Sequence, residues 1–553
     1  MVSRRRWWRR FCVFGLLSIG IFVLLTVWTR NQRQNQQQRA ERGRVELLQK
    51  RTDHGRQQAH LEALRETLSN RRDRIRNARR ITALLPTDSD VHCVGDTLET
   101  RTCRFRNLCF ATKTDRFFIL RGEHSVLTNP PLQNDNMLEL TTLRGHNVFF
   151  WHYEETAPDY FLRKADLLNV QTLENGERRI VSRGRGRTNL TLVKGRTFLT
   201  KRFYPVNIMH VFHDDWLGLY SLRDVWPSLS DPFDEYYDPP ANGTAHSLTV
   251  FEHHQRQAYD VAYEWLGRFQ RIEENLGWDT WPKSPQEAYV CYQDAVVGNS
   301  KQLAWYQYGY GKPQGPLANH TATGYKLREA ALFALRRMGL PAWDRTVQTE
   351  TIKALLAKQK PPTNDACIAI FSRLSTRLIL NEALLATHLT ASFNLPICWI
   401  RLEELSMEQI IAKLRTAVMA FGMHGSLLIL CMFLPPGAVL IEGYPYGVPA
   451  DNYTPYRTMS HLSGMELIYR SWVPHHPEAS VGHPERGPRQ GGIKHLNATY
   501  RDFILNSTTI PEHFCCDNPH WLYRIFQDTT VDPHQIATLL WGALEESLAM
   551  LTV

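Results

Sequence analysis

The sequence predicts an α/β protein whose second half is a parallel, doubly wound sheet. Three observations carry that prediction. From Ala366 onward short apolar runs alternate with amphipathic stretches: strand 368–371, helix 381–393, strand 396–400, helix 406–415 with Ser406 and Gln409 in capping-box spacing. The stretch 416–445, TAVMAFGMHGSLLILCMFLPPGAVLIEGYP, then reads as strand, tight turn, short helix, turn, strand, because its apolar runs are bounded by Gly and Pro. Finally, 553 residues with 43% hydrophobic and 11% aromatic content suffice for two or three domains with real cores.

The same pattern locates a candidate ligand site. The turn at Gly422-Met423-His424-Gly425 delivers His424, Gly425 and Ser426 to a helix start, where free N–H groups favour an anion. Glu442 ends the following strand, on the edge where open α/β sheets bind ligands, and is expected to take ribose hydroxyls. Between the first strand and first helix lie Arg373 and Arg377, suited to forked contacts with a diphosphate or to surface ion pairing, and Asn381 supports that loop.

Charge and hydropathy divide the chain. Residues 1–80 hold 20 Lys and Arg against 6 Asp and Glu, a net +14, while the rest holds 45 against 49, a net −4. The folded body is therefore mildly acidic and no nucleic-acid partner is expected. Residues 11–28 (FCVFGLLSIGIFVLLTVW) carry no charge and follow five arginines, as a short transmembrane signal anchor would; the rival is a cleaved signal peptide with a poor cleavage site. We expect a cytoplasmic tail at 1–10, the anchor at 11–28 and a Gln- and Arg-rich stem at 29–90 with a faint heptad at Leu61, Leu64, Leu68 and Ile75. A luminal body fits the sequons at Asn189, Asn242, Asn319, Asn452, Asn497 and Asn506. Cys367, Cys398 and Cys431 lie in apolar runs and read as core thiols, leaving Cys93, Cys103, Cys109, Cys291, Cys515 and Cys516 for three disulfides of unassigned pairing.

In chain order, Asp88-Ser89-Asp90 has the form of a metal–nucleotide site but stands in a polar turn, and no metal is assigned to it. Strands are expected at 117–120, 148–151, 248–251 and 290–297, and a helical stretch at 256–276. Residues 172–199, polar and Arg-rich, are expected to loop out, as are 229–246, and 341–364 to connect the halves. Asn207 can cap a helix on which His210 and Asp214 share a face, near His213, Asp215 and the upstream Arg202. A His–Asp pair at a helix start suits general-base chemistry; the bland alternative is a pair tied into the fold by hydrogen bonds. Residues 305–316, aromatic and turn-rich, can wall a sugar site or pack as a loop.

Read together, these segments resemble glycosyltransferase family 61. The matching residues are Cys103-Arg-Phe-Arg-Asn-Leu-Cys109, Asn207-Ile-Met-His-Val-Phe-His-Asp-Asp215, Trp305-Tyr-Gln-Tyr-Gly309 with Pro313-Gln-Gly-Pro316, Ser372-Arg373 with Arg377-Leu-Ile-Leu-Asn-Glu382, Met423-His-Gly425, Phe433-Leu-Pro435, Tyr453-Thr-Pro-Tyr456, His483-Pro-Glu-Arg486, Gln490-Gly-Gly-Ile493, His513-Phe-Cys-Cys516 and Asn518-Pro with Trp521-Leu. The resemblance implies two Rossmann-like domains of the GT-B type, 91–345 on the acceptor side and 346–553 on the nucleotide-sugar side. It implies inverting transfer of N-acetylglucosamine (GlcNAc) from UDP-GlcNAc to the 4-position of O-linked mannose on a protein acceptor. No cofactor and no metal are expected, so Arg373, Arg377 and the His424 turn would supply the cations. Asp214 or His210, alone or as one hydrogen-bonded unit, would be the base, with Asn207 and Arg202 supporting.

The resemblance further implies an endoplasmic reticulum membrane protein, single-pass type II with a luminal body, the Golgi being the alternative. Two departures stand out. Ser426 replaces the usual Ala, and no C-terminal fibronectin type III domain is expected before Val553. The rival functions are another family-61 specificity, such as GlcNAc on EGF-like repeats or pentose transfer, and a non-catalytic luminal sugar-binding protein.

Overall fold

The computed structural model describes residues 88–95, 102–128, 188–226, 247–276, 288–308 and 314–552, with gaps of one or two residues, plus short segments between 137 and 180 and scattered helical positions between 30 and 69. The expected tail and anchor (1–28), the stem heptad leucines, Ile75, the 229–246 loop and Asn242 lie outside the described residues. Among the described residues no helix is long and apolar enough to cross a membrane. Residues 85–553 form one compact unit, distinct from 1–84.

The C-terminal half holds the parallel sheet. Its strands run in the order Ile397–Ile400, Cys367–Phe371, Ala417–Met423, Val439–Gly443, Ile468–Trp472, all parallel. Every residue of Cys367–Phe371, Ala417–Met423 and Val439–Gly443 is buried, which is why these strands read as unbroken apolar runs. Alternate residues serve two cores. Ile368, Ile370, Val439 and Ile441 pack under the C-terminal helix Pro533–Thr552 through Ile536, Leu540 and Leu544. Ala369, Ala420 and Leu440 face the opposite way, towards Ile410, Leu428 and Phe433. That second core continues into the N-terminal half, where Phe433 meets Phe212 at 6.0 Å and Trp265 at 6.5 Å. Each fully buried aromatic or aliphatic side chain of this kind contributes about 1.5–3 kcal/mol.

The crossover Ser426–Phe433 is a 3-10 helix. Held between Gly425 and Pro435-Pro436, it has eight residues in which to return to the sheet, and seven of them are buried, so the tighter coil serves. The order of strands reverses between Cys367–Phe371 and Ala417–Met423. The loops leaving those two carboxyl ends, 372–381 and 424–426, therefore open a crevice between them.

The N-terminal half is not doubly wound as expected; its sheet is mixed. Thr102–Ala111 runs antiparallel to Asp90–Val94, Arg116–Leu120 and Ala288–Val297, while Ala288–Val297, Thr188–Thr200, Ser247–Val250 and Arg268–Arg271 are mutually parallel neighbours in that order. The short turn at 112–115 makes Thr102–Ala111 and Arg116–Leu120 antiparallel, whereas Ala288–Val297 joins the same strand from far along the chain, Cys109 and Cys291 being 182 residues apart. Of residues 172–199, expected to loop out, the described ones instead form strands Leu168–Glu174, Glu177–Ile180 and Thr188–Thr200: Leu190, Val193, Phe198 and Leu199 are buried and outweigh the Arg-rich sequence before them. The 256–276 stretch is not one helix. It is broken at Gly267 into Val261–Leu266, the strand Arg268–Arg271 and Ile272–Leu276. Within 341–364 the helix Arg345–Leu356 forms, capped by Asp344.

The cysteine assignment is corrected. Cys93–Cys103 and Cys109–Cys291 bridge residues directly opposite in antiparallel pairs. Cys367 and Cys398, expected as core thiols, form the third disulfide, with Cα atoms 5.8 Å apart. Cys398 pairs with Ala369, so Cys367 is its diagonal neighbour on the same face of adjacent strands, a relation only the register reveals. Cys431 is a buried thiol as expected, but Cys515 and Cys516 are not in disulfides. Asp90 is tied to Arg106 at 2.8 Å and to the Val126 amide at 2.9 Å, a structural use of the Asp-x-Asp stretch. Of the sequon asparagines, Asn319, Asn497 and Asn506 are exposed, and Asn189 and Asn452 half-buried.

Candidate active-site cleft

A cleft of about 550 Å³ opens where the two halves meet. One wall comes from the segment after Asn207, whose side chain caps the helix start by accepting from the Met209 amide at 3.0 Å. One α-turn, Ile208–His210, widens into a π-helix, Val211–Trp216, before the α-helix Leu217–Val225. Such π-turns present side chains that a regular helix would not bring together. Here they gather His210, His213, Asp214 and Asp215.

His210 Nδ1 lies 2.6 Å from Asp214 Oδ2, and His213 Nδ1 lies 2.5 Å from Asp214 Oδ1. The Trp305 amide donates to His213 Nε2 at 3.1 Å, so His213 carries its proton on Nδ1 and donates to Asp214. Asp214 has no exposed surface, and His210 is the member of the cluster that lines the cleft. His210 is held edge-on between Tyr308 at 4.7 Å and Phe203 at 5.0 Å. With Nδ1 committed to Asp214, its Nε2 is the nitrogen left for a substrate.

The two adjacent carboxyls are driven apart. Burial alone would raise Asp214, but His213 and His210 outweigh it and hold the group below the usual carboxylate range. Burial, then the charge of Asp214, pushes Asp215 well above that range. Asp215 is held by the Tyr263 hydroxyl at 2.8 Å and the Phe203 amide at 3.3 Å. Behind it the buried Arg202 pairs with Asp260 at 2.8 Å and stacks on Phe269, so Arg202 braces this wall and does not line the cleft.

The opposite wall is the crevice of the parallel sheet. Arg377, at a positive φ of 57°, donates to the His424 carbonyl at 3.1 Å and lies over the Phe526 ring at 4.8 Å. Its Nε is buried without a hydrogen-bond partner. Burial, reinforced by Arg373, pushes the Arg377 guanidinium well below its ordinary value, and burial lowers Arg373 too. Among the described residues neither arginine makes an ion pair with a carboxylate. Gly425 is packed against both: a Cβ there would sit 2.5 Å from a terminal nitrogen of each. Two crowded cations without a counter-charge make an anion site.

His424 also lines the cleft, with Nδ1 2.5 Å from Glu442 Oε1. Glu442 has no exposed surface, and its second oxygen accepts from the Tyr469 hydroxyl at 2.6 Å. The carboxylate expected at the ribose thus stands behind His424 with both oxygens taken by the protein. Ser426 lines the cleft, whereas Asn381 brackets Val531 through two hydrogen bonds, 2.7 and 2.9 Å, and pins the arginine loop.

The floor carries residues to which the sequence reading gave no role. Trp521 and Leu522 come from the helix Pro519–Ile525, capped by Asn518, with Phe526 just beyond it. Tyr308 and Gln314, from the 305–316 segment expected to wall a site or pack as a loop, line the N-terminal wall with Tyr204, and Tyr456, Arg489, Cys516 and Asp517 complete the other side. Asn518-Pro, Trp521-Leu, Tyr456 and Cys516 stood in matched segments, which was the signal available; Phe526 and Arg489 had none.

Comparison with known proteins adds the following. A model of the glycosyltransferase 61 family matches residues 245–441. Over 449 residues the chain is 33% identical to the protein O-linked-mannose beta-1,4-N-acetylglucosaminyltransferase 2 of Takifugu rubripes, covering 80% of this chain and 67% of that one. The protein of the same name from Homo sapiens is 32% identical over 81% of this chain and 68% of its own length. That from Xenopus laevis is 29% identical over 89% of this chain and 75% of its own.

Proposed function

The chain belongs to the glycosyltransferase 61 family, and from that premise we propose that it transfers GlcNAc from UDP-GlcNAc to the 4-hydroxyl of O-linked mannose on proteins, with inversion. The observation that carries this reading is the pairing of walls. An imidazole backed by a buried carboxylate faces the same cleft as the Arg377 guanidinium, which has Arg373 beside it at Gly425; no carboxylate pairs with either among the described residues.

The chemistry follows from that pairing. The mannose oxygen attacks C1 of GlcNAc while His210 Nε2 takes the hydroxyl proton, and Asp214 stabilises the imidazolium that forms. The bond from C1 to the phosphate oxygen breaks on the opposite face, and UDP departs with the electron pair. Arg377 and Arg373 meet the charge growing on the diphosphate, with His424 and the Gly425–Ser426 turn shaping its seat. In this reading the cations come from the protein, and no metal is required. Residues 346–553 serve as the nucleotide-sugar half of a GT-B arrangement and the mixed sheet as the acceptor half. The uncharged 11–28 run anchors the chain as a type II protein of the endoplasmic reticulum, with the cystine-bearing body in the lumen.

The test uses the purified chain with UDP-GlcNAc and an O-mannosylated peptide, with and without EDTA, the product followed by mass. A HexNAc gain that persists in EDTA is expected. A gain abolished by EDTA and restored by a divalent cation overturns the metal-free part. Absence of any gain, with UDP still raising the melting temperature, overturns the acceptor.

A further inference from the structure

The body carries an adjacent pair of thiols, Cys515 and Cys516, in the loop before the helix Pro519–Ile525. Cys516 lines the cleft. Both sulfurs reach the backbone carbonyl of Tyr308, at 3.0 Å from Cys516 and 3.6 Å from Cys515, more than 200 residues away in the chain. Tyr308 belongs to the facing wall, where its ring packs edge-on against His210 at 4.7 Å and His213 at 5.4 Å. A thiol proton on either sulfur can be donated to that carbonyl, so the pair tacks the cleft's C-terminal floor to the segment that holds the imidazoles. The mechanism proposed above makes no use of it.

We propose that Cys515 and Cys516 form a reversible thiol–disulfide site in the cleft, closed to a vicinal disulfide by small-molecule disulfides such as oxidised glutathione, and that closure releases Tyr308 from the opposite wall. Three arguments support it. The other disulfides indicate an oxidising compartment, in which a half-exposed thiol pair meets such oxidants. Adjacent Cα atoms lie about 3.8 Å apart across a trans peptide, below the roughly 4.4 Å at which ordinary disulfides begin. A bridge between neighbours is therefore strained and easily reduced, the character of a labile rather than a structural bond. Finally, the hydrogen bond between the two sulfurs pulls Cys515 below the usual thiol range and pushes Cys516 above it, so Cys515 is the nucleophile.

The chemistry balances. The Cys515 thiolate attacks one sulfur of the oxidant, forming a mixed disulfide and releasing one thiolate. The Cys516 sulfur, losing its proton to solvent, then attacks Cys515 and releases the second. Two protein thiols are oxidised, one small disulfide is reduced to two thiols, and neither protein sulfur retains a proton for Tyr308.

The proposal rests on the transferase reading only for its last readout. The full chain is equilibrated in glutathione buffers of rising oxidised fraction, quenched by alkylation and read by mass on the peptide containing both cysteines. Two alkylated thiols in reducing buffer and none in oxidising buffer are expected, reversed by added reductant and lost in Cys515→Ser and Cys516→Ser. Hydrogen exchange of the 303–308 amides should quicken in the oxidised form, and GlcNAc transfer should fall several-fold and recover on reduction. Two alkylated thiols in every buffer overturn the site. Oxidation without faster exchange at 303–308 overturns the release of Tyr308, whatever the enzymatic activity proves to be.

Discussion

The Trp305 backbone amide lies 3.1 Å from Nε2 of His213, and this one bond orders the protons of the cluster in front of it. An amide can only donate, so His213 must accept at Nε2 and hold its proton on Nδ1, where Asp214 receives it. Asp214 then keeps its second oxygen for His210 Nδ1, and the lone pair of His210 Nε2 is turned to the cleft.

From that order, removing the base and removing its partner should look alike. His210→Ala and Asp214→Asn are each expected to lower kcat by about 10²–10⁴. The UDP-induced rise in melting temperature should survive in both, because the arginines sit on the other wall. Full activity in folded Asp214→Asn would remove the dyad from the mechanism.

Asp215→Asn should behave in the opposite way from its neighbour. Asp215 has its folded pKa raised, first by burial and then by Asp214, so its contribution to stability is whole below the ordinary carboxylate range and is lost as pH rises towards the folded value. An amide cannot ionise and copies the protonated carboxyl, still facing the Phe203 amide and the Tyr263 hydroxyl. The melting temperature of the variant minus that of the parent should therefore climb from about pH 4 upward. A difference that stays flat with pH, or falls, contradicts the assignment.

On the donor side, Gly425→Ala forces a methyl against Arg373 and Arg377, each with a terminal nitrogen 2.5 Å from the new carbon. Arg377→Lys keeps the charge but loses the fork and the seat on Phe526. Each should weaken UDP binding by about 1.5–3 kcal/mol, ~10- to 100-fold by calorimetry, while leaving the fold intact. Undiminished affinity in both would place the diphosphate elsewhere.

What could be read from sequence follows burial pattern. Strands buried on both faces, such as Ala417–Met423, leave an apolar run that Gly and Pro delimit, so the parallel sheet and its crevice loops were legible, down to the Ser406 capping box. The mixed sheet was not. Thr188–Thr200 follows an Arg-rich sequence, and its partners come from distant segments, so no local period reveals it. His210 and Asp214 could be placed on one face by spacing, but which of them meets solvent depends on the π-turn and on Trp305, 92 residues from His213. Glu442 was correctly put at a strand end; that it turns inward to His424 depends on Tyr469 from the next strand. The aromatic floor needs the helix Pro519–Ile525 folded back beneath Arg377, a contact spanning some 150 residues.

The third disulfide separates stability from catalysis. Cys367–Cys398 closes a loop with a sequence separation of 31, and constraining such a loop in the unfolded chain is worth roughly 3–4 kcal/mol. Cys367 begins its strand, whereas the arginine loop leaves from the other end, after Phe371, with the whole strand between them. The core on either side of that strand is continuous, with Ile368 and Ile370 packed one way and Ala369 and Phe371 the other, so the carboxyl end should hold its place without the bridge. Cys367→Ala with Cys398→Ala is therefore expected to lower unfolding free energy in urea by about that amount, while kcat and UDP affinity at 25 °C stay within a factor of about two. A fall in UDP affinity equal to that of Arg377→Lys, with little loss of stability, would mean that the disulfide positions the arginine loop directly, and that the crevice depends on the bridge rather than on the packed sheet.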